Sequence, residues 1–166
     1  GFRLGPGERW DCKVYFELPG WDRGLAETLL DRLGLRGAAD AVTPEIPGIL
    51  RASLARKARS GISLRLETAT GRVLDVTTAA AFPPPMHPPD EIRRRVLAWA
   101  ADRGWSSRAY ASMSALLLEG WRDAPTRFGR MHTLFTRTIS VRDGSAAAAV
   151  YLRPYLRRQP HDEQPR

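Results

Sequence analysis

The order of period-two and helical segments constrains this 166-residue chain more than any other feature. Residues 10–19, Trp-Asp-Cys-Lys-Val-Tyr-Phe-Glu-Leu-Pro, alternate apolar and polar side chains and predict a strand. Two helical patterns follow. Leu25, Leu29, Leu30 and Leu33 form the first, with Gly34 as its stop. Ile49, Leu50, Leu54 and Ala58 form the second, closed by Ser60-Gly61. Residues 62–68 and 72–78 then alternate on either side of Ala69-Thr70-Gly71, which predicts a hairpin.

The arrangement then repeats. A proline-rich connector over 82–89 leads to Asp90, a good N-cap, and to a helix with Ile92, Val96, Leu97 and Trp99 on its apolar side. Arg103-Gly104 close it. The next helix starts at Ser106 or Ser107 and runs through Tyr110, Met113, Ser114, Leu117 and Leu118 towards Trp121. A last hairpin joins 131–141 to 146–155 across Arg142-Asp143-Gly144-Ser145, where Asp-Gly is a strong turn signal.

The predicted order is therefore β-αα-ββ-αα-ββ, with ααββ as the repeating unit. Hairpins separated by helix pairs give an antiparallel sheet, not the parallel sheet of single-helix crossovers. The expected fold class is α+β, an antiparallel sheet built from ααββ units with helices on one face. One domain is expected over 1–156, followed by a polar, frayed tail over 157–166.

Composition narrows the function classes. The net charge of +8 favours anionic partners: nucleic acid, acidic lipid or phosphorylated small molecules. The one cysteine, Cys12, falls on the apolar face of the first strand, which excludes an internal disulfide and a cysteine zinc site. It reads as a buried, inert thiol and fits a cytoplasmic location. No apolar run approaches the ~20 residues of a membrane span, and residues 1–7 lack the apolar core of a signal peptide. His87, His132 and His161 have no partners at metal-ligand spacing. Arg93-Arg94-Arg95 reads as a solvated helix face, and Trp21, Trp99, Trp105 and Trp121 as packing residues.

In a sheet with its helices on one side, the opposite face carries Lys13, Tyr15 and Glu17, then Ser63, Arg65 and Glu67, then Tyr151, Arg153 and Tyr155. For the strand over 131–141, either the His132-Leu134-Thr136-Thr138-Ser140 set or the Thr133-Phe135-Arg137-Ile139-Val141 set faces that way. A flat sheet makes this an ordinary wet surface; a curled one makes it the lining of a polar lumen. Cations converging on one place suit a diphosphate leaving group. Tyrosine faces suit an allylic carbocation, which they stabilise without trapping.

Lys13-Val14-Tyr15-Phe16 before Pro19 resembles the Lys-x-Tyr strand of aromatic prenyltransferases of the dimethylallyltryptophan synthase type. Val150-Tyr151-Leu152-Arg153-Pro154 resembles a later tyrosine-bearing strand, and Ser63-Leu64-Arg65-Leu66-Glu67 falls at a strand with alternating cations. The resemblance implies an ABBA barrel, in which ten antiparallel strands surround a lumen with the helices outside; five strands supply about half of it. It implies transfer of an allyl group from an allylic diphosphate such as dimethylallyl diphosphate to an electron-rich aromatic, an indole or a phenol, without cofactor or metal. It assigns diphosphate binding to Lys13, Arg65, Arg153 and Tyr155. Cation shielding goes to Tyr15 and Tyr151, and the acceptor or its ring proton to Glu67 or Glu17. The barrel is completed by self-association or by a further length of chain. The alternatives are a non-catalytic basic α+β module that binds nucleic acid through the sheet face, and a degenerate inactive fragment.

Overall fold

The computed structural model describes residues 2–4, 10–18, 20–50, 60–82, 88–122 and 131–153. Six strands form one antiparallel sheet in strict chain order: β1 (Phe2–Leu4), β2 (Trp10–Leu18), β3 (Ser60–Glu67), β4 (Val73–Ala81), β5 (His132–Ser140) and β6 (Ala146–Leu152). Helices α1 (Arg23–Arg32) and α2 (Ala39–Val42) stand between β2 and β3. Helices α3 (Pro89–Ala101) and α4 (Arg108–Arg122) stand between β4 and β5. The chain is α+β, as its alternation predicts, with β1 added at one edge.

The helix pairs differ in detail from expectation. The second helical pattern was placed at Ile49–Ala58, yet Ile49 and Leu50 lie in a tight turn closed by an Ile46–Leu50 bridge, and 51–59 lie outside the described residues. The short helix α2 lies ahead of that pattern, over Ala39–Val42. Asp90 does not cap α3: Pro88 takes the N-cap position and Pro89 begins the helix. A proline at the first helical position has its φ preset and lacks only an N–H that would be unbonded anyway. Asp90 and Glu91 then fall in the first turn, where the helix dipole favours acids. For α1, Asp22 Oδ1 accepts a hydrogen bond from Leu25 N at 3.0 Å.

One set of alternate strand residues meets the helices. Ile62, Val76 and Ile139 pack with Leu30, Ala39 and Val42. Ala80, Phe82 and Phe135 pack with Ile46, Leu50, Val96, Trp99 and Ala100, and Ala148 and Val150 join them. Thr78, on the same face, donates through its hydroxyl to the carbonyl of Val42, which ties β4 to the end of α2. Arg93 links the second helix pair: its Nε donates to Ser114 Oγ at 2.9 Å and its Nη2 to the Ala111 carbonyl at 3.2 Å. Of the expected solvated run, only Arg94 and Arg95 remain on the surface side, both paired with Glu91.

The expected apolar face of β2 is only partly covered. Leu18 packs into the core, Cys12 and Val14 are half-buried, and Phe16 is 50% exposed. Beside Phe16, a Cβ on Gly61 would lie 2.9 Å from the Phe16 carbonyl, so glycine permits the β2–β3 approach there.

Candidate site on the bare face of the sheet

The strand register places the opposite residue set in rows across the sheet. One row runs Lys13–Arg65–Asp75–Ser140 and the next Tyr15–Ser63–Thr77–Thr138–Ala147. A third runs Glu17–Gly61–Ala79–Thr136–Ala149. The open choice on β5 resolves to Leu134, Thr136 and Thr138 on this face, with Phe135, Arg137 and Ile139 towards the helices.

Side-chain size shapes the surface. The central strands carry only short groups here, Ser63, Thr77, Ala79, Thr136 and Thr138, and three of them, Ser63, Thr77 and Thr136, are at most 8% exposed. On β2 stand the long side chains Lys13, Tyr15 and Glu17, and on β6 stands Tyr151. The face thus drops from the β2 row into a shallow trough with a floor of small hydroxyl and methyl groups, and the Tyr15 and Glu17 rows end on β6 in Ala147 and Ala149. The Thr77 and Thr138 hydroxyls hydrogen-bond to each other at 2.9 Å across that floor.

The β2 wall holds the charged cluster. Lys13 and Arg65 are direct cross-strand partners, and so are Asp11 and Glu67. Like charges set opposite each other are unfavourable unless compensated. Compensation comes from both neighbouring strands: Arg65 Nε lies 2.6 Å from Oδ2 of Asp75, its direct partner on β4, and Nη1 lies 3.1 Å from Oδ2 of Asp11, its diagonal neighbour on β2. Burial opposes the charge on Arg65, but the two carboxylates outweigh it and hold the guanidinium above its ordinary pKa. The Lys13 ammonium sits 5.5 Å from the centre of the Tyr15 ring, whose side chain is 67% exposed with the rest of the residue.

The remaining candidates are placed elsewhere. Glu67 accepts from the Thr70 hydroxyl at 2.7 Å and lies 3.7 Å from Arg72, so it braces the β3–β4 turn. Tyr151, 52% exposed, belongs to the row of Leu134 and Ala81 at the far corner of the sheet. Strand geometry separates it from Tyr15 by about 19 Å across the sheet and about 13 Å along it, measured on the sheet surface. Arg153 continues past β6, exposed, its amide bonded to the Met131 carbonyl at 2.8 Å. Tyr155 lies outside the described residues.

Two polar side chains are buried on the helix side of the sheet. His132, 1% exposed, shares a hydrogen bond of 2.8 Å between its Nε2 and the Tyr110 hydroxyl, while Phe82 packs edge-on to its ring. Burial pushes the His132 pKa down to about 4 and that of Tyr110 up. A register shift between His132 and Leu134 turns the histidine to the helix side. Arg137, 5% exposed, lies between Trp99 and Trp105. Its alternation partner Phe135 was the available signal: one apolar and one charged residue on a single strand face, with the core claiming both.

Among the described residues no three His, Cys, Asp or Glu side chains gather as a metal site, and no helix is long and apolar enough to cross a membrane. The chain matches no family model, no curated protein and no solved structure.

Proposed function

We propose that the chain is an aromatic prenyltransferase of the ABBA type, or a part of one. The observation that carries this reading is the trough. Its floor is small and uncharged, and its β2 wall sets Lys13, Arg65 and Tyr15 side by side. In the proposed reaction Lys13 and Arg65 bind the diphosphate. The allylic C–O bond breaks and its electron pair leaves with the diphosphate. The Tyr15 ring, whose face already attracts an ammonium, stabilises the allyl cation. The arene then attacks, a C–C bond forms, and the ring proton passes to a carboxylate. Glu17, two residues from Tyr15 on the same face, suits that step better than Glu67, which the turn occupies. A further length of chain or a second copy completes the barrel and supplies the wall opposite Tyr15, since Tyr151 lies at the far corner of the sheet.

Nucleic-acid binding through this face has less support. Asp11, Asp75, Glu17 and Glu67 stand there against Lys13 and Arg65, so the face around β2–β4 is not the source of the chain's positive charge.

The test uses dimethylallyl diphosphate with a panel of indoles and phenols, without Mg²⁺, and product detection by mass spectrometry. Calorimetry with inorganic pyrophosphate runs beside it. Prenylated product is expected from the natural sequence. Loss of about tenfold or more in pyrophosphate affinity is expected for Lys13→Ala, the range of one charge-assisted hydrogen bond. Lys13→Arg should not restore turnover, and Tyr15→Ala should lower turnover more than pyrophosphate affinity. Absence of both product and pyrophosphate binding would sink the proposal.

A further inference from the structure

On the helix side of the sheet a second cationic cluster stands apart from the trough. Arg137 projects from β5 under the C-terminal end of α3, and its guanidinium carbon lies 5.2 Å from the centres of both the Trp99 and Trp105 rings. Those rings meet edge to face at 5.3 Å. Arg103, exposed at the end of α3, lies 4.5 Å over Trp99 and donates from Nη1 to the Trp99 carbonyl at 3.2 Å. Two guanidinium groups thus share one indole.

Indole rings satisfy the face of a guanidinium but none of its donors, which all lie in its plane. Among the described residues the buried Arg137 Nε has no hydrogen-bond acceptor. Among the described residues no carboxylate pairs with Arg137 or with Arg103. Arg65 shows the alternative within the same sheet, held by two carboxylates. A buried cation without a counterion is among the costlier arrangements in a fold, and a second cation beside it raises that cost. Burial, with Arg103 adding to it, brings Arg137 down to about 10, so it stays charged at neutral pH.

We infer that Arg137 and Arg103, backed by Trp99 and Trp105, form a binding site for a small oxyanion, a phosphoryl or carboxylate group. The anion supplies in-plane acceptors to Arg137 and neutralises both cations. Arg103 forms the exposed side of the site and Arg137 the buried side. The site lies on the opposite face of the sheet from Lys13 and does not depend on the prenyl-transfer reading.

The experiment titrates the protein with inorganic phosphate in one arm and acetate in the other, at constant ionic strength, with tryptophan fluorescence and calorimetry as readouts. Saturable binding is expected in at least one arm, and that arm identifies the group. Arg103→Gln, at an exposed position, should weaken it about tenfold, and Arg137→Lys, which keeps the charge but loses the planar fork, should weaken it further. Lys13→Ala should leave it unchanged, which separates it from the trough. Absence of saturable binding in both arms overturns the inference, as does binding that Arg103→Gln leaves unaltered.

Discussion

Arg65 and Arg137 stand two strands apart on opposite faces of one sheet, and their surroundings could hardly differ more. The first meets two carboxylates, the second two indoles. His132 offers the sharper test at this scale, because its position has a pH signature. Its folded pKa, about 4, lies below the ordinary 6.5. Below pH 6.5 the unfolded chain takes up a proton that the folded chain refuses. Stability from the neutral histidine is therefore complete above pH 6.5 and declines as pH falls towards 4. Linkage over that interval amounts to about 3 kcal/mol. Urea unfolding of the natural sequence and of His132→Gln, compared between pH 7 and pH 4, should show the variant losing most of this extra slope. Equal slopes would show that His132 protonates freely in the folded state.

At the scale of elements, α1 rests on one cap. Asp22 Oδ1 bonds the Leu25 amide, and Asp22→Ala should cost about 1 kcal/mol, read as a lower urea midpoint with an unchanged m-value. Most elements were legible because each carries its own period: β2, β3, β4, α1, α3, α4 and the β5–β6 hairpin all lie where alternation or helical spacing predicts them. The misses have physical causes. Helix α2 has four residues, too short for a period to show. Strand β1 has three residues, too few for an alternation to show; pairing with β2 makes it a strand. Pro88-Pro89 began α3 where a side-chain cap was expected at Asp90, because preset φ angles serve the same end.

The whole molecule is two-sided. Phe135, fully buried against Trp99, lies on the helix side, and Phe135→Ala should cost roughly 3–5 kcal/mol. Tyr15, exposed on the bare face, should cost under about 0.5 kcal/mol when changed to alanine. Chemical denaturation of both variants measures the contrast; similar losses would mean that the bare face is covered in solution. The proposed activities divide along the same line, with the prenyl-transfer trough on one face and the oxyanion site on the other.

Local pattern by itself determined which residues alternate, which recur at helical spacing, and hence the α+β class and the Lys13–Tyr15 row on one strand face. These properties depend on near neighbours along the chain, and a sequence displays near neighbours directly. Register between strands does not. Only the tertiary structure decided that Lys13 stands opposite Arg65, that Asp11 and Asp75 close on that arginine, and that Tyr151 lies at the far corner. It also decided which face of β5 turns inward. That choice carries Arg137 into the helix layer, because the burial of Phe135 and Ile139 brings every second residue of the strand with it, and the register shift before Leu134 adds His132.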